Sequence, residues 1–224
     1  EMFLPMNSGA EAVETALKLC RRWAYDVKGL PQDTAEIIVA SGNFHGRTTT
    51  IVGFSDDPDS YAGFGPYCKQ AFPMHEYGNI EDLKSKIAAN AAGVLVEPIQ
   101  GEGGVVVPPV GYLKEIEKIC KEKNILFICD EIQAGLGRSG KLFSHYYENV
   151  RPDMVIVGKA LSGGFYPVSG VLADKTIMLT IKPGEHGSTF GGNPLAAAVA
   201  VKSLEVIEEE KLVERSFELG AYFV

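Results

Sequence analysis

The sequence predicts an α/β fold, a mostly parallel central sheet with helices on both faces. Three observations carry this reading. Short runs that are almost continuously apolar (residues 37–40, 94–96, 125–129 and 155–157) have the character of strands buried on both sides. Segments with helical spacing of apolar residues alternate with them, as in a layered α/β domain. The chain has 224 residues, 46% of them hydrophobic, which is enough for one large domain with a sizeable core.

Each element follows from local signals. Ser8-Gly9-Ala10-Glu11 is a capping box, with Ser8 at the N-cap and Glu11 three residues on. Val13, Ala16, Leu17 and Cys20 continue it at helical spacing to about Val27, where Lys28-Gly29-Leu30-Pro31 stops the helix. Residues 37–40 form a short buried strand, and 42–55 a loop leading into a helical or mixed segment. Residues 56–73, rich in Gly, Pro, Asp and Tyr, read as a long surface loop of the kind that often carries function. A helix over 80–89, a strand over 94–98 ending at Pro98 and a mobile turn at 101–104 come next. A helix over 112–123 turns Leu113, Ile116 and Cys120 inward. The strand at 125–130 is followed by a glycine-rich turn, a short helix near 143–147 and a strand at 154–157. The short connection before 168–172 makes that strand an antiparallel edge strand. Pro194 opens a helix, which suits its fixed φ and missing donor.

Composition removes several function classes. Acidic residues outnumber basic ones 29 to 21, for a net charge of −8, and no basic run is interleaved with aromatics. Nucleic acid and anionic membranes are therefore not expected partners. No apolar stretch approaches the ~18 residues of a membrane-spanning helix. The four cysteines form no CxxC pair and read as free core thiols in a reducing compartment. The four histidines lack metal-ligand spacing, so no metal site is expected. The chain opens at Glu1 without a start methionine and ends within a helical pattern over 208–224, as a piece of a longer protein would.

In an open α/β sheet, ligands bind beyond the carboxyl ends of the strands. Glu97, Asp130 and Lys159 each close an apolar strand at that rim. A structural ion pair accounts for them; so does a cofactor that needs both a lysine and a carboxylate. Pyridoxal phosphate is such a cofactor, taking a lysine on its aldehyde and a carboxylate beside its ring nitrogen. A lysine at the end of a buried strand loses water, which lowers an amine's pKa and suits Schiff-base chemistry. The turn Ser8-Gly9-Ala10 opens a helix and is either an ordinary cap or an anion site. Phe44 is either core or a flat partner for a ring, and Arg47 either a solvated loop residue or a carboxylate clamp. The stretch from Ser188 through Thr189 to Pro194 is a loop or a second phosphate contact.

The segments NSGAEAVETALKLCRRW, NFHGRT, VEPIQGEGG, FICDEIQAGLGRSGK, RPDMVIVGKALSGGFYPVS and IKPGEHGSTFGGNPLAAA together resemble the class III pyridoxal-phosphate aminotransferases. The resemblance implies a fold-type I large domain over 1–206, with 207–224 a connecting helix toward a small C-terminal domain. It implies an intracellular homodimer, in the cytoplasm or the mitochondrial matrix, with a shared active site. Lys159 takes the cofactor's aldehyde and then moves the proton between substrate and cofactor carbons. Asp130 pairs with the pyridine nitrogen, Gln133 bonds near the phenolic oxygen, and Ile132 and Phe44 sandwich the ring. Gly9 and Ala10 donate amides to the phosphate, and Thr189 reaches the phosphate held by the neighbouring subunit. Arg47, Glu102 and Ser188 fall on the substrate side, Glu102 as the partner that masks a small-domain arginine. Within the family, GKALSGGFYPVS and IMLTIKPGEHGSTFGGNP point to transfer of the δ-amino group of L-ornithine to a 2-oxo acid such as 2-oxoglutarate. Transamination of acetylornithine or 4-aminobutyrate, and a noncatalytic binding domain of the same fold, are the alternatives.

Overall fold

A computed structural model describes residues 1–223. Seven strands form one sheet: β1 (Met2–Met6), β2 (Glu36–Ala40), β3 (Met74–His75), β4 (Ala91–Val96), β5 (Leu126–Asp130), β6 (Met154–Val157) and β7 (Ser169–Ala173). Their spatial order is β1-β7-β6-β5-β4-β2-β3. Strands β2 to β6 pair in parallel, while β7 runs antiparallel to both β6 and β1. The helices are α1 (Gly9–Trp23), α2 (Thr49–Val52), α3 (Pro58–Tyr61), α4 (Ile80–Lys86), α5 (Tyr112–Lys123), α6 (Lys175–Met178), α7 (Pro194–Glu209) and α8 (Leu212–Phe223).

The strands are apolar throughout because both faces are covered, and their alternate residues enter different cores. Ile37, Val39, Leu95, Ile128, Met154 and Ile156 pack under α1 with Val13, Leu17 and Cys20. Ile38, Val94, Val96, Phe127 and Cys129 pack under α5 with Leu113, Ile116 and Cys120. Each fully buried Ile or Leu contributes about 1.5–3 kcal/mol, so a one-residue slip of β4 or β5 would forfeit several such contributions at once. Gly93 lets α1 approach β4, since a Cβ there would lie 2.8 Å from Cys20 Sγ.

The capping box forms: Glu11 N–H donates to Ser8 Oγ, and Ser8 N–H donates to the Glu11 carboxylate. The helix then continues through a wider π turn over Ala24–Lys28 and stops at Gly29, which takes the left-handed φ of 80°. The segment expected as one long loop holds α3 and a 3-10 turn at Lys69–Ala71. The helix α4 ends at Lys86, before the expected Ala89, and β4 lies earlier than expected, finishing at Val96. β7 is antiparallel, as its short connection requires, but it is not an edge. The apolar residues of β1 pair outside it, with Pro5 tolerated because an edge strand needs no donor on its outer side. α7 runs unbroken through residue 206 to Glu209, and α8 begins after Lys211, whose φ is 52°.

Candidate active site

The parallel strands set three functional groups on one rim. β4 ends one residue before Glu97, β5 ends on Asp130, and β6 ends two residues before Lys159. Parallel pairing of β4 with β5 and of β5 with β6 fixes their spacing. Gly9, Ala10, Phe44, Asp130, Ile132, Gln133 and Lys159 line one cavity of about 170 Å³, together with His45 and Gly46. The N-terminus of α1 forms one wall, close against Ile132: a Cβ on Gly9 would meet Ile132 Cδ1 at 3.0 Å.

Asp130 is buried, and both its oxygens are held. Ile132 N–H donates to Oδ1 at 3.0 Å, and His45 Nδ1 lies 2.7 Å from Oδ2. Burial draws the His45 imidazole down, but the hydrogen bond to Asp130 and the charges of Asp130 and Glu97 outweigh it, so its pKa is raised. Glu97 is buried too, and its Oε2 accepts from Phe44 N–H at 3.0 Å. Burial pushes the Glu97 carboxyl up to about 7; His45 opposes the shift and Asp130 adds to it. Sequence reasoning missed His45 as a site residue. Its place between Phe44 and Gly46, in a loop returning to the rim, was the available signal.

Lys159 departs from expectation in one respect: it is exposed, not desolvated. It sits beyond the strand, as the first residue of a 3-10 turn. Its φ of 41° is left-handed, a strained conformation for a lysine and one that clusters at functional sites. Lys159 also lines a larger cleft of about 630 Å³ between the 136–138 turn and the α7–α8 junction.

The substrate-side residues are less gathered. Arg47 is exposed, its guanidinium 5.1 Å from the Phe44 ring centroid. Glu102 is exposed in its loop, and Thr189 is exposed outside the cavity. Ser188 Oγ accepts from Asn7 Nδ2 at 2.9 Å. Among the described residues no cluster of His, Cys, Asp or Glu could hold a metal ion, and no helix is long and apolar enough to cross a membrane.

The sequence model of the family named Aminotransferase class-III matches residues 1–224. The chain belongs to this family. An ornithine aminotransferase of Brevibacillus brevis is 56% identical over 224 residues, covering all of this chain and 56% of that protein. One from Exiguobacterium sp. is 58% identical over the same span. The chain therefore spans just over half the length of these curated relatives. Among solved structures, an ornithine aminotransferase from Toxoplasma gondii superimposes with a TM-score of 0.98 at 48% identity, over 100% of this chain and 53% of that one. An acetylornithine aminotransferase from Elizabethkingia anophelis superimposes with a TM-score of 0.85 at 50% identity, over 100% and 52%.

Class III aminotransferases depend on pyridoxal phosphate, and the cavity fits that group. Gln133 Nε2 is buried without a partner in the cavity wall, a donor awaiting an acceptor. Phe44 and Ile132 offer apolar surface for a ring, Asp130 an acceptor at the floor, and Lys159 an amine at the mouth. The capping box takes the Ser8 and Glu11 amides, so a phosphate would meet those of Gly9 and Ala10, which line the cavity.

Proposed function

We propose that this chain is the cofactor-binding part of an ornithine aminotransferase, which transfers the δ-amino group of L-ornithine to a 2-oxo acid, 2-oxoglutarate in particular. Products are L-glutamate 5-semialdehyde and an L-amino acid. The observation that carries the reading is the meeting of Lys159, Asp130 and Gln133 in one cavity at the carboxyl rim of the sheet. Relatives named ornithine aminotransferase at 56–58% identity support the substrate.

Pyridoxal phosphate, when bound, supplies an electron sink for the electrons released as a substrate C–H bond breaks. The chain's residues do the rest. Lys159 Nζ anchors the cofactor and then carries the proton, and its position between the cavity and the larger cleft gives it access to both. Asp130 accepts from the ring N–H, and His45 holds Asp130 in place. Glu97 fixes the Phe44 backbone, and with it the ring's flat partner. Gly9 and Ala10 hold the phosphate, and Gln133 meets the phenolic oxygen.

Arg47, Glu102 and Ser188 act on the substrate side, and Thr189 acts on the cofactor of a neighbouring subunit in a homodimer. The exposure of Arg47, Glu102 and Thr189 supports a site completed by other parts of the protein. Residues 1–206 form the large domain, and 207–224 lead toward a small one. The enzyme works inside the cell, in the cytoplasm or the mitochondrial matrix; a Caenorhabditis elegans relative at 57% identity carries "mitochondrial" in its name.

The test is the rate of the full-length protein on ornithine, N-acetylornithine and 4-aminobutyrate as amino donors. Ornithine is expected to be the best; a protein for which ornithine is the poorest donor overturns the assignment. N-Acetylornithine is the rival to watch, given the Elizabethkingia anophelis structure at 50% identity.

A further inference from the structure

The loop over residues 182–193 carries Ser188 and Thr189 and is fastened to α1 at successive points. Asn7, just before the helix, donates from Nδ2 to Ser188 Oγ at 2.9 Å. Thr15 Oγ1 lies 2.8 Å from His186 Nε2, and Lys18 Nζ lies 2.8 Å from His186 Nδ1. Arg22 pairs with Glu185. Thr15, Lys18 and Arg22 share one face of α1 because three- and four-residue steps stack on a helix. The Arg22 pair is exposed on both sides and contributes little. Thr15, by contrast, is fully buried, and His186 is half-buried.

The protons in this chain have one consistent direction. A lysine ammonium only donates, so His186 Nδ1 must accept from it. Nε2 then carries the imidazole hydrogen and donates to Thr15 Oγ1. The Thr15 oxygen is free to accept because its own hydrogen goes to the Glu11 carbonyl at 2.8 Å. Neutral imidazole in one tautomer satisfies all three groups. Burial and the charge of Lys18 hold the His186 pKa below its ordinary value, which favours that neutral form. The helix gripped in this way opens at Gly9 and Ala10, in the wall of the cavity.

We propose that His186 is a positioning residue for the cofactor phosphate: it locks the 182–193 loop to α1, so that the Thr189 hydroxyl, lent to a neighbouring subunit's phosphate, keeps a fixed place relative to the first amides of its own helix. The inference rests on the reading of the cavity as a pyridoxal-phosphate site. In a homodimer with shared sites, the same lock sets each subunit's own helix amides relative to the hydroxyl it lends its neighbour.

The experiment uses the full-length enzyme, stripped of cofactor and titrated with pyridoxal phosphate while the visible absorbance is followed. His186→Leu is expected to raise the Kd for pyridoxal phosphate about tenfold, the scale of losing a hydrogen bond to a charged group plus a neutral one. Saturating cofactor is expected to bring kcat back to within about twofold of wild type, so the effect divides into affinity and not turnover. His186→Gln can still accept from Lys18 and donate to Thr15, and is expected to stay within about threefold of the wild-type Kd. A merely space-filling role predicts no such rescue. Wild-type affinity in His186→Leu, or equal loss in the Gln and Leu variants, overturns the proposal. Should the Leu variant not fold, Thr15→Val removes the acceptor of the same chain; a Kd raised about fivefold supports the lock, and an unchanged Kd overturns it. A wild-type enzyme that does not take up pyridoxal phosphate would instead sink the reading of the cavity itself.

Discussion

His45 Nδ1 and Asp130 Oδ2 lie 2.7 Å apart, and both side chains are almost wholly buried. A carboxylate so placed keeps its orientation only while its partner remains, because a buried charge that loses a hydrogen bond costs about 1.5–3 kcal/mol. His45→Leu in the full-length enzyme is therefore expected to lower kcat/KM by about 10- to 100-fold. Steady-state kinetics on ornithine measure this, and activity within twofold of wild type would remove His45 from the site's support.

Glu97 gives stability a pH dependence of known sign. Its folded pKa, about 7, stands above the unfolded value. The proton is therefore bound more tightly in the native state, and this contribution is full below about pH 4.5 and lost as pH rises through about 7. His45, also raised, acts in the same direction. Urea unfolding from pH 5 to 8 should show wild-type stability falling across this window, and Glu97→Gln should flatten the slope. An equal slope in the variant contradicts this origin.

Gly46 combines a φ of 127° with a Cβ position 2.8 Å from Ala10 Cβ. Alanine there meets both backbone strain and a side chain that has no way to rotate aside. Gly46→Ala is expected to destabilise the protein by about 1–3 kcal/mol and to weaken cofactor binding, since Ala10 lines the cavity. Chemical denaturation and a pyridoxal-phosphate titration read the two effects.

The thiols separate cleanly. Cys20 is buried and its pKa is pushed up to about 12, and burial also raises Cys120 and Cys129. Cys68 is exposed. A thiol reagent at pH 8 should label Cys68 alone in the native protein and all four after unfolding, as mapped by peptide mass spectrometry.

Much of this arrangement was legible in the residues. Continuous apolar runs identified β2, β4, β5 and β6 because strands covered on both faces have no polar alternation, and the polar residue closing each run marked the rim. The capping box at Ser8 and Glu11 located the start of α1 for the same local reason. What escaped was non-local. The strand β1 holds only five residues with a proline among them, and it gains its identity from pairing with β7. His45 is one loop residue whose role depends on a contact with Asp130, 85 positions away. The exposure of Lys159 depends on what covers the rim, which no run of residues around it encodes.

Borohydride reduction of the cofactor-loaded full-length enzyme, followed by peptide mapping, tests the central claim most directly. Reduction should erase the visible band and leave the pyridoxyl mass on Lys159 and on no other lysine. A label on another lysine, or a visible band and full turnover that survive Lys159→Ala, would contradict it.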